Sequence, residues 1–175
     1  MIFTEVKLKG AFILDPEFKR DERGAFFRTW CAREFKEHGL PANLAQCSGV
    51  FNAKKGTLRG MHWQAAPHEE AKLIRVTSGA VYDVIADVRP ASPTYRQWFA
   101  VELDAVSRRM LFVPHGFAHG YLTLEDNTEL FYQMSEFHAP ECARGFRWND
   151  PAFRSEWPDN AHVISTRDRT YPDFA

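Results

Sequence analysis

Apolar and polar positions along the chain alternate over short runs and hardly ever recur at the three-to-four-residue spacing of an amphipathic helix. Val, Ile, Phe and Tyr gather in brief stretches broken by Gly, Pro, Asp and Asn, the pattern of strands joined by turns. The clearest stretch runs from Leu73 to Val88, where Gly79 separates two strands. In the second, Val81, Asp83, Ile85 and Asp87 alternate with Tyr82, Val84, Ala86 and Val88. Successive strand side chains point to opposite faces, so one face is apolar and the other partly acidic. The acidic positions fit a solvated sheet face, which is the simpler expectation, or side chains turned into a wet barrel. Further strands are expected at 2–8, 11–14, 25–30, 44–51, 57–63, 97–103, 109–113, 118–123 and 128–135. Their regular spacing predicts an all-β sandwich or barrel.

Two short helices are expected as connectors. One spans Ala32 to His38 and is stopped by Gly39; the other opens near Ser165, where Ser165 and Asp168 form an S-x-x-D capping pattern. The polar tail from Trp157 to Ala175 retains Trp157, Val163, Ile164, Tyr171 and Phe174, so it is expected to dock on the body.

A length of 175 residues suffices for one sizeable core and is short for two, so a single domain over 1–175 is expected. The 22 basic and 23 acidic residues are scattered, leaving no basic stripe for nucleic acid; any phosphate contact must be local. No run of apolar residues is long enough to cross a membrane, and MIFTEVKLKGAF lacks the apolar core of a signal peptide. Cys31, Cys47 and Cys142 are odd in number and share no CxxC spacing, which argues for reduced thiols. Together these features predict a cytoplasmic protein.

Two segments place polar residues inside strand-like runs, where burial is costly unless they are paired. GTLRGMHWQ from Gly56 carries Arg59, His62 and Gln64, the last two on one face by the two-residue period. VPHGFAHGY from Val113 carries Pro114, Gly116 and His119. The pair is similar to the two motifs of the cupin barrel, an HxH with a following Glu and a later PxGxxH, which gather a metal ion. Here Gln64 stands where the second histidine would be, with Glu69 and Glu70 near the place of the acidic ligand. Amide oxygen is a poor substitute for imidazole, so the metal reading is the weaker one. An interior holding His62, His119, Arg59 and Lys72 suits an anionic organic ligand.

Six separated stretches then carry a more specific likeness: DERGAFFRTW from Asp21, GTLRGMHWQ from Gly56, AKLIRVTSGAVYDVIADVR from Ala71, FVPHGFAHGY from Phe112, ELFYQMSE from Glu129 and GFRWNDPAF from Gly145. In this order they make the chain resemble the dTDP-4-dehydrorhamnose 3,5-epimerase family over nearly its whole length. The resemblance implies a cupin-type β-barrel (jelly roll) with a few short helices. It also implies a homodimer acting on a nucleotide-linked 4-keto-6-deoxy sugar, with neither metal nor cofactor. It assigns His62 as the base that removes hydrogen beside the ketone, oriented by Asp168, with Tyr132 as the second proton carrier and Lys72 near the ketone oxygen. Arg59 and His119 are implied to touch pyrophosphate or sugar, with Arg23 and Gln46 in the nucleotide-binding stretches and Phe26 stacking across the dimer.

The chemistry makes sense of these residue types. A ketone at C4 acidifies the hydrogens on C3 and C5, because the carbanion delocalises into an enolate that a nearby cation stabilises. An imidazole, with an ordinary pKa of ~6.5, accepts and holds a proton near neutrality, and a carboxylate on its other nitrogen fixes the tautomer. Simpler roles stand beside these: Asp168 as the helix cap, Lys72 as a solvated strand lysine, Tyr132 at a sheet edge, Phe26 as packing. The chain also departs from the family. Arg28 replaces the usual Glu, Ser48 the usual Asn and Val50 a common Ser, which leaves a CDP- or GDP-linked sugar open. His138 stands where a second tyrosine near the sugar is typical, which leaves a C3-only epimerase open. A metal-dependent cupin enzyme and a non-catalytic sugar-nucleotide module are the remaining alternatives.

Overall fold

The alternating runs become two antiparallel sheets that face each other, in a computed structural model that describes residues 1–158 and 163–174. The first sheet combines β1 (Ile2–Glu5), β2 (Phe12–Asp15), β5 (Gln46–Asn52), β7 (Lys72–Ser78), β10 (Met110–Val113) and β12 (Thr128–Met134), in the order β1-β2-β10-β7-β12-β5. The second combines β6 (Thr57–Gln64), β8 (Ala80–Asp87), β9 (Trp98–Asp104), β11 (Phe117–Thr123) and β13 (Ala143–Gly145), in the order β13-β6-β11-β8-β9. A small hairpin, β3 (Lys19–Asp21) with β4 (Gly24–Phe26), stands apart.

Three apolar layers follow from the alternation. Between the sheets, Ile74, Val76, Leu111 and Leu130 of the first meet Val81, Ile85, Leu103 and Phe117 of the second. Outside the first sheet, Leu14, Leu73, Met110 and Phe112 pack against Phe35 of α1 (Ala32–Glu37). Outside the second, Met61, Val84, Ala86 and Ala118 lie under Phe146, Phe153, Trp157 and Phe174, so the C-terminal segment does dock on the body. Among the described residues no helix is long and apolar enough to cross a membrane.

Most expected strands appear within a residue or two of their predicted bounds, and the differences have local causes. The strand expected at 2–8 ends at Glu5, because the chain turns through Leu8 and Gly10 to reach β2. The one expected at 25–30 shrinks to β4, whose unforeseen partner β3 has no buried position and hence no alternation to read. The acidic face of β8 is not solvated. Asp83 and Asp87 are fully buried and point between the sheets, while the apolar face is covered by the C-terminal segment. Asp87 survives burial because Arg89, Ser92 and Thr94 all donate to it.

The contact between β6 and β11 decides where the polar side chains go. His62 sits opposite His119, but Arg59 sits opposite Tyr121, so three steps on β6 answer two on β11. This extra residue is a β-bulge. It turns both Arg59 and His62 to the inside, although strict alternation would put them on opposite faces. Glycine permits it: a Cβ on Gly60 would lie 2.5 Å from the Gly120 Cα and 2.9 Å from the His119 carbonyl, at φ +125°. Gly60→Ala is therefore expected to destabilise the fold by at least ~2 kcal/mol in chemical denaturation. Gly49→Ala, where the nearest atom outside its own stretch of chain is the Leu130 carbonyl at 4.0 Å, is expected to be near neutral.

Candidate active site

One end of the space between the sheets is open and forms a cavity of about 500 Å³. Gln46, Ser48 and Val50 of β5, Lys72 of β7 and Tyr132 of β12 line it from the first sheet; Arg59 and His62 of β6 and His119 and Tyr121 of β11 line it from the second. His138 and Asp168 complete the wall. Eight of the ten residues singled out in the sequence thus converge on one space. Arg23 and Phe26 do not: both lie on the β3–β4 hairpin, Phe26 is exposed and Arg23 pairs with Asp21.

Asp168 reaches the cavity through local structure at the C-terminal end. β14 (Val163–Ile164) pairs in parallel with Thr57 and Leu58 of β6, and Ser165 then caps α2 (Thr166–Thr170). Ser165 Oγ accepts from the Asp168 backbone N–H at 3.1 Å and also bonds the Asp168 carboxylate, whose oxygens have further partners outside the helix. One oxygen accepts from His62 Nε2 at 2.6 Å and the other from the Gly60 backbone N–H at 3.3 Å. Burial alone would raise the carboxyl pKa, but the bonds from His62, Gly60 and Ser165 hold it below the ordinary 3.8. Asp168 is therefore an anion at neutral pH. It accepts a hydrogen bond from the Nε2–H of His62 and leaves Nδ1 as the nitrogen with a free lone pair. The His62 side chain keeps 38 % of its surface open, and Tyr171 stands edge-on to its ring at 5.9 Å.

A second His–Asp pair lies deeper. His119 Nε2 donates to both oxygens of Asp83 at 3.0 Å, and Asp83 is fully buried. Burial pushes the Asp83 carboxyl up, against His119 and Lys72. Lys72 is not solvated; its ammonium sits 2.9 Å from Glu70, with both side chains largely buried at the cavity edge. Arg59 Nε donates to Asn52 Oδ1 at 2.9 Å, and the Tyr121 hydroxyl donates to the same oxygen at 3.2 Å. Burial raises the Tyr132 phenol well above its ordinary 10.0, with Tyr121 and Asp83 pushing the same way and Arg59 opposing. At neutral pH it is a protonated donor.

Gln64 lies on the same side of β6 as His62, as the two-residue period implies, and lines a smaller adjoining pocket with His62, Lys72 and His138 rather than the main cavity. Its amide donates to the carbonyls of His68 and Phe137 and accepts from the Ala139 N–H, so it ties two loops together. His138 is exposed on the rim, its backbone N–H bonded to Gln46 Oε1 at 3.2 Å. Sequence reasoning missed Asp83, Asn52 and Tyr121 as parts of the site. Tyr121 lies two residues beyond His119 and so shares its face, a signal that was present; Asn52 ends its strand and carried none.

The fold is that of the cupin-type isomerases: a solved structure of similar shape is the dTDP-4-dehydrorhamnose 3,5-epimerase of Bacillus anthracis, with TDP and pyrophosphate bound. That structure superimposes with a TM-score of 0.94 at 35% identity, over 99% of both chains. The chain belongs to the dTDP-4-dehydrorhamnose 3,5-epimerase family, whose sequence model matches residues 5–175. It is 37% identical to the Pseudomonas aeruginosa enzyme of that description over 174 residues, covering 98% of this chain and 95% of the relative. A Legionella pneumophila relative solved with dTDP-4-keto-L-rhamnose has a TM-score of 0.90 at 30% identity, over 97% of this chain and 90% of that one.

The lowered carboxyl pKa of Asp168 carries a sign. A depressed folded-state pKa stabilises the fold above the ordinary carboxylate value, and this contribution is lost as pH falls through the folded value. Asp168→Asn lacks it. The melting-temperature gap between wild type and Asp168→Asn is expected to be fully open above about pH 5 and to close as the pH drops below about 4.

Proposed function

We propose that the chain catalyses cofactor-independent epimerisation at C3 and C5 of a dTDP-linked 4-keto-6-deoxy sugar. The observation that carries this reading is that His62 on one sheet, bonded to Asp168 of α2, stands across one cavity from Tyr132 on the other sheet. Inversion demands that arrangement. His62 Nδ1 removes the hydrogen next to the ketone, and the C–H electron pair passes into an enolate whose oxygen is met by the Lys72 ammonium. The Tyr132 phenol then gives its proton to the opposite face of the same carbon. Asp168 stabilises the imidazolium meanwhile. Every step is assigned to a side chain, so no metal or cofactor enters.

Arg59 and His119 lie where the diphosphate or the sugar hydroxyls would meet them, and a guanidinium suits phosphate geometry. Gln46, Ser48 and Val50 present the β5 face to the nucleotide, with His138 at the rim. The protein as we read it is a cytoplasmic homodimer. Arg23 and Phe26, outside their own cavity, reach the nucleotide in the site of the second copy. Dimerisation explains the otherwise unoccupied aromatic surface of Phe26.

Incubation with the dTDP-linked keto sugar in deuterated water is expected to place deuterium at both C3 and C5; label at C3 alone would assign a monoepimerase, with His138 the first residue to suspect. His62→Ala and Tyr132→Phe are each expected to cut turnover about 10²- to 10⁴-fold without loss of fold. Unchanged turnover in both variants would refute the assignment.

A further inference from the structure

Behind the phenol of Tyr132 stands a second one. Tyr121 and Tyr132 come from facing sheets, are 2 % and 9 % exposed, and both flank the His119 ring, with centroids 6.1 and 5.9 Å from it. The Tyr121 hydroxyl donates to Asn52 Oδ1, and Arg59 Nε donates to that same oxygen. Tyr121 therefore has oxygen lone pairs free to accept, and Asn52 keeps a donor even if Tyr121 turns away.

The proton transfer sets a demand on this corner of the cavity. Each reprotonation of carbon leaves a phenolate on Tyr132, in a place where burial opposes charge. Arg59 is a nearby cation that favours it, whereas Asp83, of the same sign as the phenolate, and Tyr121 oppose it. We propose that Tyr121 is a positioning residue for Tyr132, accepting its O–H in the resting enzyme and turning its own hydroxyl from Asn52 to the phenolate once the proton has left. The proposal rests on the reading of Tyr132 as proton donor. In the step itself the enolate electron pair forms the new C–H bond, the Tyr132 O–H bond breaks, and its pair stays on the phenolate oxygen. The proton removed from carbon resides on His62, and exchange with solvent returns both groups to neutrality. Nothing is oxidised or reduced.

Tyr121→Phe deletes one oxygen and leaves Asn52 bonded to Arg59. Exchange of substrate hydrogen with retention needs only His62, which removes and returns a proton on one face; inversion needs Tyr132 as well. In deuterated water, Tyr121→Phe is expected to keep exchange with retention within about threefold of wild type and KM unchanged, while inversion falls about 10- to 100-fold. Tyr132→Phe, run alongside, is expected to keep exchange and abolish inversion. Should Tyr132→Phe invert normally, the donor reading fails and the role of Tyr121 falls with it. Should Tyr132→Phe behave as expected while Tyr121→Phe inverts at the wild-type rate, or loses exchange and inversion together, the role of Tyr121 alone is overturned.

Discussion

The bond between His62 and Asp168 is the constraint on which the site depends. It joins residues 106 apart in sequence, one in the middle of β6 and the other on a five-residue helix near the chain end. An imidazole free to turn would present either nitrogen to the cavity; one held by a carboxylate at 2.6 Å presents a single tautomer. Asp168 is itself held, by the Gly60 N–H and by a backbone capped at Ser165. The C-terminal segment thus orients the His62 ring while its aromatic residues cover the outside of the sheet that carries it.

The two-sheet interior supplies the rest. His62 from β6 and Tyr132 from β12 line the cavity from facing sheets, which is what the proposed inversion of a flat enolate needs. The same burial that keeps the phenol protonated makes its anion costly, so the polar groups around it act as a network rather than as separate contacts. His119 with Asp83, and Arg59 and Tyr121 on Asn52, form its two arms. That Arg59 joins His62 on the inner side follows from one irregularity, the bulge at Gly60, without which the two would face opposite ways.

The strands were legible because alternation and turn residues mark them wherever one face is buried. They were illegible where that condition fails: β3 is exposed throughout, and β13 and β14 are too short to show a period. The acidic alternation of β8 misled for a related reason. Asp83 and Asp87 look solvated in a pattern that records polarity but not partners, and their partners His119, Arg89, Ser92 and Thr94 become visible only once the strands are in register. Most of the site was legible through motifs, since His62, Lys72, His119 and Tyr132 sit in strand runs where an unpaired polar group would be costly. The S-x-x-D spacing marked the start of a helix at Ser165, and Ser165 does cap α2 by accepting from the Asp168 N–H. Gln64, placed beside His62 by period, does line a side pocket with it, while its amide also ties two loops together through partners that no spacing announces.

Nitrogen-15 NMR of the histidine rings in the free protein at neutral pH tests the central claim most directly. The account predicts a His62 ring whose proton is on Nε2, hydrogen-bonded and slow to exchange, with Nδ1 unprotonated, and loss of that signature in Asp168→Asn. A His62 ring carrying its proton on Nδ1, or averaging between tautomers as a solvated imidazole does, would contradict it.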